Sequence, residues 1–249
     1  MSAPFIVAAA QSVSVAGNLR KNVDRHLIFL REAAAGNARF VVFPELSLTG
    51  YERALAKELA IHGDDSRLVP LRDECVRNGL TAVVGAPLRY DDVVRIGALT
   101  FTPDGKVSTY TKQYLHPGED LVFAPGTGGK PISVDGTTIA LAICADTGHP
   151  EHAEQAATSG SSLYAAGALI TANGYVADTA LLEGYAMQHR FAVLMANHGG
   201  ETGGWSPIGK SAFWAEDGRR VIAAKGAGEA LVMASRSGAG WNGHVVTLD

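Results

Sequence analysis

The sequence predicts an α/β protein in which strands and helices form layers, arranged as two related halves. Short apolar runs rich in β-branched residues recur along the chain, and helix-length segments with one apolar face lie between some of them. A strand–turn–strand pattern also occurs twice, late in each half. Alternating strands and helices indicate sheets covered by helices, and the repeated hairpin indicates two similar sheets that stack on each other.

The predicted strands are almost continuously hydrophobic, which is typical of strands that are buried on both faces. They lie at residues 5–10, 40–43, 81–86, 139–144 and 191–197, and each is followed by turn or polar residues. We therefore expect them to form the interior of the sheets.

The clearest predicted helix is at residues 18–35, with Asn18 as its N-cap. Further helices are predicted at 67–78, 151–160 and 179–190. The apolar stripe of the first helix has helical spacing and consists of Leu19, Val23, Leu27 and Leu30.

The two predicted hairpins are similar to each other. "GALTFTPDGKVSTY" (97–110) turns at Pro-Asp-Gly, and "GKSAFWAEDGRRVIAA" (209–224) turns at Glu-Asp-Gly. No linker-like or low-complexity stretch separates the two halves, so we expect one domain over residues 1–249.

Composition limits the function classes. The net charge is −4 with a pI near 6.1, and the Lys and Arg residues are scattered, so neither nucleic acid nor membrane is an expected partner. No run of about 18 apolar residues is present, and the N-terminus lacks a basic leader. The two cysteines show no disulfide or zinc spacing, which favours a reducing, cytoplasmic location and predicts no metal.

Three reactive side chains follow predicted strands: Glu45, Lys112 and Cys144. Each of them, taken alone, also fits a structural role. Glu45 can cap the next segment, Lys112 can be a solvated edge residue, and Cys144 can be a small buried hydrophobe. However, a thiol at the carboxyl end of a strand, beside a sharp turn, lies where α/β enzymes place their sites. Cys75 lies in a predicted helix and is interpreted as structural.

The joint pattern resembles the carbon–nitrogen hydrolase family, also called the nitrilase superfamily, in its amidase-type branch. Three segments in order show the resemblance: "FPELSLTGY" around Glu45, "GKVSTYTKQYL" around Lys112 and "IALAICADTGHPE" around Cys144. Weaker matches at both ends extend the resemblance over nearly the whole chain.

The resemblance implies a four-layer αββα sandwich of two stacked mixed sheets with an internal pseudo-two-fold. It also implies a Glu-Lys-Cys triad in which Cys144 is the nucleophile, Glu45 the general base and Lys112 the electrostatic partner. Glu119 in "HPGED" matches a second glutamate that many members carry. No cofactor is implied, and the family usually forms homodimers, for which the apolar tail "WNGHVVTLD" is a candidate contact.

Substrate contacts are expected from the Ala145 backbone N–H, Tyr51 and Leu169. The sequence departs from the family pattern where an aromatic residue usually follows the cysteine, since Ala145 stands there. It departs again at "GHP" (148–150) and "AAGALITANGY" (165–175). Asp146 agrees with amidase-type branches, so the predicted reaction is hydrolysis of a small aliphatic amide, ω-amidase-like, through a thioester with release of ammonia or amine.

Several alternatives remain open at the level of sequence. A nitrilase or an N-carbamoyl amide hydrolase could use the same triad, and Cys144 could instead pair with His116 or His149. A binding or scaffold protein could retain the fold without catalysis. A zinc site at "HPEH" (149–152) lacks an evident remote ligand, and a solvated helix start is the simpler interpretation.

Overall fold

The structure is a computed structural model that describes residues 4–238 and 240–248, and the prediction made for the N-terminus falls partly on residues 1–3, which lie outside the described residues. The helices are α1 Leu19–Ala35, α2 Ala56–Leu59, α3 Val69–Asn78, α4 Pro150–Thr158 and α5 Ala172–His189. The strands are β1 Phe5–Gln11, β2 Phe40–Val42, β3 Thr81–Tyr90, β4 Val93–Phe101, β5 Val107–Thr111, β6 Ile132–Val134, β7 Thr137–Ile143, β8 Leu163–Ala168, β9 Ala192–Asn197, β10 Ala212–Trp214, β11 Arg220–Ala223, β12 Ala230–Ser237 and β13 Gly240–Thr247.

The strands form two mixed sheets that repeat one pattern. One sheet has the order β13-β12-β1-β2-β3-β4-β5, and the other has the order β11-β10-β9-β8-β7-β6. In the first, β1, β2 and β3 are parallel and the hairpin β4–β5 follows; in the second, β7, β8 and β9 are parallel and the hairpin β10–β11 follows. The predicted pair of related halves is therefore confirmed.

Three apolar clusters define four layers. The central cluster joins the inner faces of the two sheets and includes Phe40 and Val232 from one sheet and Leu141 and Leu194 from the other. A second cluster packs α1 and α3 against the outer face of the seven-stranded sheet, and a third packs α4 and α5 against the six-stranded sheet. This is the αββα sandwich that the sequence predicted, with the sheets buried on both faces.

Local signals explain the clearest helix ends. The Asn18 side chain accepts a hydrogen bond from Lys21 N at 3.1 Å, as an N-cap does. Helix α3 ends at Gly79, whose φ of 63° is the left-handed conformation that glycine adopts without strain.

Helix α5 begins seven residues earlier than the predicted range 179–190. Its apolar pattern is weak because apolar side chains such as Val176 and Leu181 are exposed while others face the sheet.

Strand β8 was not predicted. The tail forms β13 at an edge of its own sheet, and the last tail residue, Asp249, lies outside the described residues. None of the helices in the described part of the chain is long and apolar enough to cross a bilayer.

Candidate active site

Glu45, Lys112 and Cys144 lie together at one end of the sandwich. Lys112 directly follows β5, Cys144 directly follows β7, and Glu45 lies three residues beyond β2. Although Glu45 and Lys112 are 67 positions apart in the chain, Lys112 Nζ lies 2.7 Å from Glu45 Oε1. Glu45 and Cys144 line the same cavity. The strand ends that the sequence singled out therefore converge.

The turn that carries Glu45 is held tightly between the two sheets. A Cβ on Gly85 would lie 2.3 Å from Leu46 N, and a Cβ on Gly167 would lie 2.5 Å from Phe43 O. Any side chain at these two positions would push the turn away, because backbone atoms cannot yield. Glycines in β3 and β8 thus let the backbone of this turn pack against both sheets.

A buried histidine also fixes the position of Glu45. His198 Nε2 lies 2.7 Å from the Glu45 carbonyl oxygen and donates to it, since a carbonyl only accepts. Burial lowers the pKa of His198 to about 4, so the ring is neutral at pH 7. His198 therefore holds the backbone of Glu45 without adding a charge near the side chain.

Lys112 is completely buried and binds two carboxylates. Its Nζ contacts Glu45 Oε1 at 2.7 Å and both oxygens of Glu119 at 2.8 Å. Burial alone favours the neutral amine, but the negative charges of the Glu45 and Glu119 carboxylates outweigh this effect and keep the pKa of Lys112 above its ordinary value. The amine is therefore a cation, and its side chain has no contact with bulk water.

Glu119 has two hydrogen-bond donors in addition to Lys112. Besides Lys112 it accepts hydrogen bonds from the Tyr51 hydroxyl at 2.6 Å and from His116 N at 2.7 Å. These donors orient both carboxylate oxygens, so Glu119 holds Lys112 in one place.

The backbone of Cys144 is strained. Its φ of 45° is unusual for a residue with a side chain and costs on the order of 1–3 kcal/mol. A 3-10 turn begins at this residue, and its Sγ lies 3.6 Å from Leu169 O. The first N–H groups of such a turn lack helical partners, which leaves Ala145 N available to a ligand.

At neutral pH the Cys144 thiol is uncharged, and the carboxyl group of Glu45 beside it has a pKa of about 7. Burial and the charge of Glu45 raise the pKa of Cys144 well above its ordinary value, although Lys112 opposes them. Burial also raises the pKa of Glu45 to about 7, against the opposing charge of Lys112. Glu45 Oε2 has no hydrogen-bond partner among the described residues. Glu45 can therefore accept a proton at neutral pH.

Asp146 connects the lysine and cysteine segments. Its Oδ1 atom accepts hydrogen bonds at 3.0 Å from Gln113 N and Tyr114 N, the two residues that follow Lys112. Since Asp146 lies two residues after Cys144, these bonds fix the distance between the two functional segments. The sequence identified Asp146 only as part of a family pattern and missed this contact.

A cavity of about 310 Å³ opens above these residues. Its walls include all three of the predicted substrate contacts, Tyr51, Ala145 and Leu169. The volume is at the lower end of the range for small-molecule sites, roughly 300–1,000 Å³.

The family model described as carbon-nitrogen hydrolase matches residues 6–239 of the chain. The chain belongs to the carbon–nitrogen hydrolase family. That match includes the strand ends that carry Glu45, Lys112 and Cys144, and every strand except β13 and the first residue of β1.

Named relatives of this carbon–nitrogen hydrolase include a nitrilase and an amidase. A protein named nitrilase from Pyrococcus abyssi is 27% identical over 77% of this chain and 74% of its own length. A protein named (R)-stereoselective amidase from Pseudomonas sp. is 26% identical over 72% of this chain and 61% of its own length.

A solved structure shares the fold of this carbon–nitrogen hydrolase. It is a cysteine-to-alanine variant of the amidase from Nesterenkonia sp. AN1 in complex with butyramide, with a TM-score of 0.85 and 22% identity over 94% of this chain and 91% of that one. Another structure of the same amidase carries the acetamide moiety of fluoroacetamide on its active-site cysteine. The chain thus belongs to a family of hydrolases that includes enzymes acting on amides.

The histidines proposed as alternative partners lie elsewhere or are otherwise engaged. His149 is stacked on Tyr114 with ring centroids 3.7 Å apart, and it does not line the cavity. His116 does line it, but no hydrogen bond joins its described ring atoms to Cys144. In "HPEH", His152 is buried and both its ring nitrogens contact tyrosine hydroxyls, at 2.7 and 2.8 Å. Within residues 4–238 and 240–248 no group of three acidic, His or Cys side chains is arranged to hold a metal.

Trp205 and Asp178 also line the cavity, and sequence reasoning identified neither; it named His116 only as an alternative partner of Cys144. Trp205 and Asp178 lie in a loop and in the early part of α5, which the sequence did not recognise as helix. If the helix had been predicted to begin at residue 172, Asp178 would have been placed near its N-terminus, which lies close to the carboxyl ends of the strands.

Proposed function

We propose that this carbon–nitrogen hydrolase cleaves a small aliphatic amide by forming a thioester on Cys144. The observation that carries the proposal is the buried cluster in which Lys112 Nζ binds both Glu45 and Glu119 beside the cysteine. A cation locked between two carboxylates is a fixed source of positive charge next to a nucleophile and a base.

In the first step the Cys144 sulfur attacks the amide carbon while Glu45 takes the thiol proton. Because the thiol is neutral at rest, proton removal and attack are coupled. The developing oxyanion is stabilised by the positive charge of Lys112 and by a hydrogen bond from the Ala145 N–H, and a hydrogen-bond donor of this kind lowers the barrier by roughly 3–4 kcal/mol.

The tetrahedral intermediate then collapses. Glu45 returns its proton to the nitrogen, the C–N bond breaks, and ammonia or an amine departs, which leaves a thioester on Cys144. A water molecule that Glu45 deprotonates attacks the thioester, and the proton returns to the sulfur as the carboxylic acid is released. Glu119 acts in both steps by holding Lys112.

The Nesterenkonia amidase supports this assignment, since its structures carry an amide ligand and a covalent adduct on a cysteine. The test is an ammonia-release screen over short amides, dicarboxylic monoamides, carbamoyl amino acids and nitriles, with the Cys144→Ala variant as the blank. We expect turnover of the short amides and formation of an acyl adduct on Cys144, detected by intact mass in rapid-quench samples. An enzyme that releases ammonia equally well without Cys144 would contradict the proposal, as would a protein with no turnover and no adduct, which fits the scaffold alternative.

Nitrile hydrolysis is a second candidate, because the Pyrococcus relative is named a nitrilase. A nitrile consumes two water molecules on the way to acid and ammonia, whereas an amide consumes one. A carbamoyl substrate releases carbon dioxide in addition. Product analysis in the same screen therefore separates the three reactions, and the ω-amidase-like version requires turnover of the dicarboxylic monoamides.

We also propose a homodimer in the cytoplasm. The tail forms β13, whose outer edge is open at the end of the seven-stranded sheet, and an open edge can pair with a second copy. A reducing compartment keeps the nucleophilic thiol free. Light scattering at micromolar concentration tests the dimer, and a monomeric mass would contradict it.

A further inference from the structure

Asp178 is an acidic residue in the cavity wall that the proposed reaction does not use. It lies in the second turn of α5 and lines the cavity together with Gly174 of the first turn and Thr171, the residue before the helix. The Asp178 carboxylate has no hydrogen-bond or ion-pair partner among the described residues. Such an acid, partly buried in a ligand cavity, lacks the counter-charge that buried carboxylates usually have.

The structure leaves space for this carboxylate. A Cβ on Gly174 would lie 2.9 Å from Asp178 Oδ2, so any other residue at position 174 would displace the acid. Burial raises the pKa of Asp178, and no neighbouring cation opposes that effect. A ligand that brings a positive charge would therefore relieve an existing electrostatic cost.

The other carboxylates of the cavity wall add to the negative charge of Asp178. Three carboxylates line the cavity, those of Glu45, Glu119 and Asp178, whereas no Lys or Arg does among the residues that the structure describes. Lys112 does not line the cavity, and its single positive charge is shared between Glu45 and Glu119. The cavity therefore has surplus negative charge, and a substrate with a carboxylate would be repelled.

The arginine and aromatic side chains near the cavity are also compatible with a positively charged ligand. Arg53 does not line the cavity; its guanidinium lies over the Tyr51 ring at 5.7 Å and donates a hydrogen bond to Gly118 O at 3.3 Å. Trp205 lines the cavity and is partly exposed, with His116 packed edge-on to it. An indole face attracts cations, so the aromatic part of the wall also tolerates a positive charge.

We propose that Asp178 binds an ammonium group at the far end of the substrate, so that the favoured substrates are amides of ω-amino acids. This inference rests on the proposed amide hydrolysis and specifies the acyl group for it. The amide carbon lies at Cys144, and the protonated amine extends along the cavity to the Asp178 carboxylate.

The experiment compares matched substrates in the wild-type enzyme and two charge-matched variants. For straight chains of three to six carbons, kcat/KM is measured for the ω-amino amide and for the unsubstituted amide of equal length. We expect the wild type to prefer the amino amide at one chain length, and Asp178→Asn to lower that ratio about tenfold. Glu183→Gln removes one negative charge from an exposed position of the same helix and should leave the ratio unchanged. The ω-carboxylate amides should be poor substrates for the wild type.

A binding measurement makes the inference independent of turnover. In the Cys144→Ala variant, calorimetry should show tighter binding of the ω-amino amide than of the unsubstituted amide, and the added Asp178→Asn change should remove the difference. If unsubstituted amides are hydrolysed but the ratio is the same in the wild type and Asp178→Asn, the inference is overturned while the proposed function stands. If no amide is hydrolysed, the proposed function fails, and equal binding of the two ligands then overturns the inference as well.

Discussion

The two thiols of the chain lie in contrasting surroundings. Cys75 is fully buried in α3 among the apolar side chains between the helices and the seven-stranded sheet. Burial raises its pKa to about 12. Cys144 opens into the cavity, has a strained backbone, and lies beside Glu45 and Lys112.

Burial also raises the pKa of Cys144, so a low thiol pKa does not distinguish the two residues. The difference is what surrounds each thiol. Next to Cys144 there is a carboxylate with a free oxygen and a pKa near 7, a fixed cation, and an open route for a ligand. The acid beside Cys75 is Glu74, which is paired with Arg31 and Arg77. In the proposed mechanism, the Cys144 thiol becomes a nucleophile because a proton acceptor lies next to it, and Cys75 has no such acceptor among the described residues.

Removing each thiol is the strongest test of this comparison. Cys144→Ala should lower kcat about 10⁴-fold or more, because no other group can form the thioester. Cys75→Ala should leave kcat within about twofold and lower the free energy of unfolding by roughly 1–2 kcal/mol, since it leaves a small cavity in the core. Steady-state kinetics and urea unfolding measure the two effects, and a large loss of kcat in the Cys75 variant would contradict the contrast.

Exchanging the acid beside each thiol should have the next largest effect. Glu45→Gln should lower kcat/KM about 10³-fold, because the amide cannot accept the thiol proton. Glu74→Gln, at a similarly buried carboxylate, should affect stability and leave kcat/KM nearly unchanged. Rapid-quench measurement of acylation tests this, and if Glu45→Gln acylates normally while His116→Ala does not, the Cys–His alternative is right.

The pH dependence should separate the two thiols further. Glu45 must be ionised to accept the proton and its pKa is about 7, so kcat/KM should fall as the pH is lowered through about 7. Alkylation of Cys144 by iodoacetamide should follow the same profile, whereas native Cys75 should stay unlabelled up to about pH 9. Peptide mass spectrometry reads both sites. A fall in activity only below about pH 5 would show that Glu45 is not the base.

The smallest expected effect concerns the support of Lys112. Tyr51→Phe removes the hydroxyl that donates to Glu119 at 2.6 Å, and kcat/KM should fall about three- to tenfold because the glutamate and lysine are held less firmly. Tyr90→Phe removes a more exposed hydroxyl whose partner is Thr109 and serves as the control. Equal values for the two variants would exclude an orienting role for Tyr51.

Particular residues show how far sequence reasoning reached. Glu45, Lys112 and Cys144 were identified because each follows an apolar run, and a strand end is recognisable from local composition. Helix α1 was placed to within a residue, since its cap and stripe are local signals. The start of helix α5 was predicted seven residues too late, and strand β8 was missed. In both elements apolar residues face two sides, so the sequence shows no clear hydrophobic period.

The amino-acid sequence by itself determined the two-halved α/β class and the three reactive side chains, because hydrophobic period and strand ends depend on neighbours in the chain. Only the tertiary structure decided that Tyr51 binds Glu119, that His198 holds Glu45, and that Asp178 faces the cavity. Those contacts join residues that are far apart in the chain, and the packing of two sheets and their helices brings them together.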